Sequence, residues 1–241
     1  MSTLAPAIAT ETRKAVTSRV LRWTTGLLLA AVLALVTGIL MARNLDDPQL
    51  TAKLGPLAEL EGWPALLGVA AQITAAGVMP ALGIGLSRLI GREFAEGTIT
   101  GLFALPVPRR GIALAKLIVY AVWVLAVAII LTSALLLLGL VLGYGAPGVD
   151  EWRTLARHIP LTVLVGLTAM PAAWAATLGL LVIAQVMAFT GVGAWFPLVT
   201  PALWAIDPAA VSGAQLALVP STPLVFGALT LVAWHRLQLD R

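Results

Sequence analysis

The residues able to carry covalent chemistry are few and badly placed for it. His158 and His235 each sit beside an arginine at the edge of a long apolar run, and neither has a G-x-S-x-G serine or an acidic pair close by, as a nucleophile or metal site would need. Both read as interfacial polar groups. With no cysteine, thiolate nucleophiles, disulfides and thiolate metal sites are excluded. No stretch reads G-x-x-x-x-G-K-[ST], the backbone cradle that ATP hydrolysis requires. No Asp, Glu, Lys or Arg falls in the middle of an apolar run, which argues against a proton- or sodium-driven carrier. No cofactor or metal is expected on this chain, and an intramembrane enzyme is the weaker reading.

A different kind of chemistry, contact with a partner, is suggested by the segment Arg88 to Lys116, RLIGREFAEGTITGLFALPVPRRGIALAK. A segment that merely connected two membrane helices would need only its basic residues. This one adds Glu93 and Glu96 before Gly97, a short apolar helix expected over 98–105, and Pro106, Pro108 and a basic pair. Phe94, Ile99, Leu102 and Phe103 recur at roughly helical spacing and would offer a face to a cytoplasmic partner. Glu93 and Glu96 have two readings: contacts to that partner, or charges at a helix N-terminus favoured by its dipole.

The elements that must position these residues are membrane helices. Hydrophobic residues make up 60% of the 241 and charged residues 11%, against roughly 25% charged in soluble domains, so most of the surface faces lipid. A hydrocarbon core of about 30 Å needs roughly 20 helical residues. Thr24 to Ala42 supplies one span and Trp63 to Leu86 a second. The uncharged run after Lys116 supplies one long helix leaving the membrane near Gly143. Ile159 to Ile206 supplies two more, turning near Gln185 to Gly191, and the stretch after Asp207 supplies the last, with a re-entrant or outer-surface segment over about 207–222. The expected fold is therefore all-α and integral to the membrane. It has six spans, preceded by an amphipathic interfacial helix within TETRKAVTSRVLRW (10–23).

Six spans put both termini on one side. With the N-terminus inside, Arg13, Lys14, Arg19, Arg22, Arg88, Arg92, Arg109, Arg110, Lys116, Arg236 and Arg241 lie inside. Only Arg43, Lys53, Arg153 and Arg157 lie outside, so the positive-inside rule favours cytoplasmic termini. The pI near 10.1 is explained by these flanks and by anionic lipid, without nucleic acid. Trp23, Trp63 and Trp234 read as interfacial anchors. Gly139 and Gly143 form a Gly-x-x-x-Gly that lets helices approach. Gln72, Thr74, Thr132, Ser133 and Thr168 are polar residues available to a translocation path.

Arg92, Glu93, Phe94, the Glu96-Gly97-Thr98 string, Leu102, Pro106-Val107, Arg109 and Lys116 together resemble the inner loop of type-2 ATP-binding-cassette (ABC) exporter permeases. These are the single-domain transmembrane subunits of bacterial drug, antibiotic and lantibiotic-immunity exporters. Ile99 and Pro108 depart from the leucine and serine usual in that pattern. The resemblance extends to the six-span layout, the amphipathic N-terminal helix and the charged C-terminal stub.

It implies a connecting helix over 1–23 and a permease domain over 24–241, with a coupling loop over 88–116. Glu93, Phe94, Glu96, Gly97, Thr98, Leu102, Phe103, Pro106 and Arg109 would form the surface that docks on an ATPase. It further implies two ATPase subunits carrying the ATP and Mg, a second identical or homologous permease, and residence in the bacterial cytoplasmic (inner) membrane. Export of an amphipathic or apolar compound is the implied activity, with a role in multidrug or antibiotic resistance. A non-transporting anchor or assembly factor is the alternative.

Overall fold

The computed structural model describes residues 4–42, 59–103, 108–170 and 192–236. All regular structure among the described residues is helical. The order is α1 (Leu4–Thr17), α2 (Arg19–Ala42), α3 (Gly62–Ala95), α4 (Ile99–Phe103), α5 (Arg109–Val141), α6 (Val149–Leu167), α7 (Thr200–Ile206), α8 (Gly213–Leu218) and α9 (Ser221–Arg236), with 3₁₀ turns at Gly193–Trp195 and Pro208–Ala210. Four stretches are long and apolar enough to cross a membrane: α2, α3, α5 and Gly213–Arg236, which holds α8 and α9. Residues 171–191, which carry much of the fourth and fifth expected spans, lie outside the described residues. α6 begins ten residues before Ile159 and carries Asp150, Glu151, Arg153 and Arg157 in its first half. The turn expected near Gln185 to Gly191 lies outside the described residues.

α3 is the central helix, packed against α2, α5, α6 and α7. Its 34 residues measure about 51 Å at 1.5 Å each, well beyond a core of about 30 Å, so one end stands out of the membrane. α3 and α5 therefore consume most of the connecting segment expected over 88–116. α3 continues through Arg88 to Ala95, and α5 already begins at Arg109. Charged residues at a membrane edge do not end a helix; Gly97 and Pro108 do. The short helix between them spans Ile99–Phe103.

Both long helices stop by the same device. After α3, Gly97 takes a left-handed φ of 67°; its N–H donates to the Phe94 carbonyl at 3.3 Å, and that of Thr98 to the Glu93 carbonyl at 2.9 Å. After α5, Gly143 takes φ 81°; its N–H donates to the Leu140 carbonyl at 3.1 Å, and that of Tyr144 to the Gly139 carbonyl at 3.1 Å. These paired bonds are the Schellman pattern, which satisfies carbonyls orphaned at a helix end and favours glycine at the left-handed position. Gly143 is thus a helix stop and not half of a helix-approach motif.

Gly139 instead seats an aromatic ring. A Cβ there would overlap the indole of Trp63, which is 5% exposed, donates to the Gly145 carbonyl at 3.2 Å and meets Tyr144 edge-on. Trp63 is a packing residue and not a membrane anchor. Gly85 in α3 receives Trp123 of α5 in the same way, and the Trp123 indole donates to Thr25 of α2 at 3.1 Å. α6 joins the centre through Gly166, whose bare Cα faces Leu82 and Val124 and whose carbonyl accepts from the Tyr120 hydroxyl.

Candidate functional site

The basic end of the bundle, where α1, the start of α5 and the ends of α3 and α9 converge, holds a buried ion cluster. Lys116 of α5 is 1% exposed. Its ammonium donates to Glu11 of α1 at 2.8 Å, to Glu93 of α3 at 2.8 and 2.9 Å, and to the Leu89 carbonyl at 2.8 Å. These three partners saturate its three N–H groups. Lys14, one turn after Glu11, bridges Glu11 at 2.8 Å and Glu93 at 3.0 Å. Two lysines and two glutamates cancel in charge. Burial of Lys14 works to lower its pKa, but the hydrogen bonds and charges of Glu11 and Glu93 outweigh it and hold the ammonium above the ordinary lysine value.

Such a cluster contributes more to geometry than to net stability. Desolvating four charges offsets much of their attraction, but removing one partner strands the others in a low-dielectric site. The three helices are thereby fixed in mutual register at their basic ends. Trp234 of α9 closes the cluster: it is 3% exposed, its ring centroid lies 6.0 Å from the Lys116 ammonium, and it meets Phe94 edge-on at 5.9 Å. An anchoring role at the lipid surface does not fit so buried a ring. Trp23, 70% exposed, has the exposure that role requires.

Directly beyond the cluster, the chain turns through Glu96, Gly97 and Thr98 into α4. Glu93 and Glu96 lie at the C-terminal end of α3, where the helix dipole disfavours a carboxylate, so the N-terminal-charge reading is overturned. Each is compensated by cations instead. Glu96 accepts from Arg88 at 2.7 Å and from Arg92 at 3.0 and 3.1 Å. The Arg92 hydrogen bond above all, working against desolvation and helped by Arg88, holds the Glu96 carboxyl below the usual carboxylate range.

The expected docking residues therefore divide. Glu93 is 4% exposed and committed to the cluster. Phe94, Glu96, Gly97 and Thr98 are exposed beside it, and Arg109 is half-buried where α5 begins. Leu102 and Phe103 belong to α4, and Pro106 lies outside the described residues. Glu11 and Lys14 were not singled out as site residues from the sequence. The available signal was that Glu11 is the lone acid in an otherwise basic amphipathic segment.

The polar residues proposed for a path are not brought together. Thr74 is fully buried and shares a 3.0 Å hydrogen bond with His158, so this histidine, 2% exposed, ties α6 to α3 and is not an interfacial group. Thr168 is buried and donates to the Val165 carbonyl at 2.7 Å. Gln72 and Thr132 are half-buried and Ser133 is exposed. A cleft of about 260 Å³ at the opposite end, lined by Leu67, Asp150, Arg157, His158 and Trp204, contains none of the five.

The profile of the ABC-2 family transporter proteins matches residues 7–200, a range that takes in most of α1, the ion cluster, the α3–α5 connection and α6. The chain belongs to the ABC-2 family. Comparison with curated proteins gives no match. As an ABC-2 transporter protein with several membrane-crossing helices, it is a multi-pass membrane protein and the transport membrane subunit of its system. In this ABC-2 chain the Glu96-Gly97-Thr98 string has a local physical role as the α3 stop. Lys116 at the head of α5 is the hub of the cluster behind it.

Proposed function

We propose that this ABC-2 chain is the permease subunit of an ATP-driven exporter. In this reading two separate ATPase chains, which carry the ATP and Mg, dock on the exposed turn from Phe94 through Thr98 and on α4 beyond it. Two permease chains, identical or homologous, enclose the translocation path. Six spans place both termini on the cytoplasmic side of a bacterial inner membrane, with the ion cluster at that face. The cargo is amphipathic or apolar, a drug, antibiotic, peptide or lipid, because no charge at membrane depth is offered to an ion.

The observation that supports this reading best is the position of the cluster. The turn that would meet an ATPase leaves α3 within one helical turn of Glu93, and Glu93 is bonded through Lys116 to α5 and through Lys116 and Lys14 to α1. A push on the turn is carried to three helices at once, as coupling of soluble motors to membrane helices requires.

The test is purification of the tagged chain in mild detergent, identification of what accompanies it, and assay of ATP hydrolysis. Recovery of an ABC ATPase in equal stoichiometry, lost when Phe94 and Thr98 are replaced by charged residues, is expected. A lone chain without associated hydrolysis would instead assign it as an anchor or assembly factor.

A further inference from the structure

Between α1, α2 and α5 lies an apolar groove of about 520 Å³, within the roughly 300–1,000 Å³ of small-molecule sites. Ile8, Val16, Leu29, Val122 and Ile130 form much of its wall. Gly26 leaves the wall open: no atom lies within 4 Å of where its Cβ would stand. The Thr25 hydroxyl in the lining is already satisfied, donating to the Leu21 carbonyl at 2.9 Å and accepting from Trp123 at 3.1 Å.

Charge appears at the mouth. Arg22 lines the groove, and Arg19 lies one turn earlier on the same helix; both are exposed. Among the described residues, Arg22 bonds to the Thr17 carbonyl at a long 3.4 Å, and no carboxylate lies within salt-bridge distance of either arginine. Trp23, next to Arg22 and largely exposed, marks the headgroup level of a membrane.

We propose that this groove holds an acyl chain of an anionic phospholipid whose phosphate sits on Arg22. Apolar walls suit a hydrocarbon chain, and an arginine lacking a carboxylate partner at headgroup depth suits a phosphate. The lipid wedges between α1 and the spans it lies beside, completing the seat of α1 on the side away from the ion cluster. This inference rests on the membrane setting alone and not on coupling to an ATPase.

The test is native mass spectrometry of the full-length chain in detergent, titrated with phosphatidylglycerol and with phosphatidylcholine of the same acyl chains. One tightly held phosphatidylglycerol is expected, with phosphatidylcholine weaker. Arg22→Gln should lower affinity for the anionic lipid about fivefold and affect the zwitterionic one less, because its choline already offsets the phosphate charge. Gly26→Leu, which meets no neighbour on its way into the groove, should displace both. Equal affinity for the two lipids overturns the proposal, as does full retention of lipid by Gly26→Leu. Loss of chain–chain association in Gly26→Leu with lipid retained would make the groove a protein interface and overturn it as well.

Discussion

Lys116 donates to both carboxylate oxygens of Glu93 across the α3–α5 interface, at 2.8 and 2.9 Å, with both side chains almost fully buried. The pair stands immediately behind the turn that leaves the bundle. Its partners Glu11 and Lys14 extend it to α1, so the amphipathic helix is bonded into the same unit as two long helices.

Lys116→Met leaves two buried carboxylates facing Lys14 alone and should destabilise the chain by about 3–5 kcal/mol. Thermal unfolding in detergent measures this. Lys116→Arg, which keeps the cation between Glu11 and Glu93, should lose much less than Lys116→Met. Equal stability of Lys116→Met and wild type would mean that the cluster does not hold the helices.

Gly139→Ala places a methyl in the ring of Trp63 and should cost about 1–3 kcal/mol as overpacking. Gly26→Ala enters open space on a helix and should gain up to about 1 kcal/mol from helix propensity. The two substitutions are chemically identical, so opposite shifts in unfolding temperature would isolate the packing term.

Much of this arrangement is legible in the sequence, and the remainder fails for identifiable reasons. Charge-free runs bounded by Arg, Asp and Glu reveal α2, α3 and α5, because burying backbone in lipid demands helices of a set length. Helix ends beyond the membrane are less visible: Arg88 and Arg92 look like loop residues, yet only Gly97 stops α3. Trp63 and Trp234 mislead because hydropathy does not separate lipid contact from protein contact. The Glu11–Lys116 bond joins residues 105 positions apart, and no local pattern announces it.

Gly97 has a left-handed φ of 67° and open space about its Cα, so substitutions there act through conformation alone. Gly97→Val should cost about 1–2 kcal/mol locally and fray the turn, with Gly97→Asn milder because asparagine tolerates that region. Amide hydrogen exchange at Thr98, whose N–H bonds to the Glu93 carbonyl, reports it. Unchanged protection in Gly97→Val would remove the Schellman stop from the account.

The Glu96 clasp should be acid-sensitive. Its carboxyl pKa is depressed by Arg92 and Arg88, so its contribution is fully present above the unfolded value of about 4.3 and is lost as pH falls through the lower folded value. Exchange at Gly97 and Thr98, corrected for the intrinsic rate, should rise in that acid range in wild type. Glu96→Gln should show no such pH step, and an identical step in the variant would assign it elsewhere.

The most direct test of the coupling claim is a spin-label distance between Thr10 on α1 and Thr100 on α4, both exposed, in the reconstituted permease with its ATPase. If the cluster makes α1 and the turn one body, this distance stays the same with and without ATP and vanadate. Each label meanwhile moves relative to Trp152 at the far end, and Lys116→Met makes the Thr10–Thr100 distance depend on nucleotide. A wild-type distance that changes with nucleotide, or a Lys116→Met variant indistinguishable from wild type, would contradict the account.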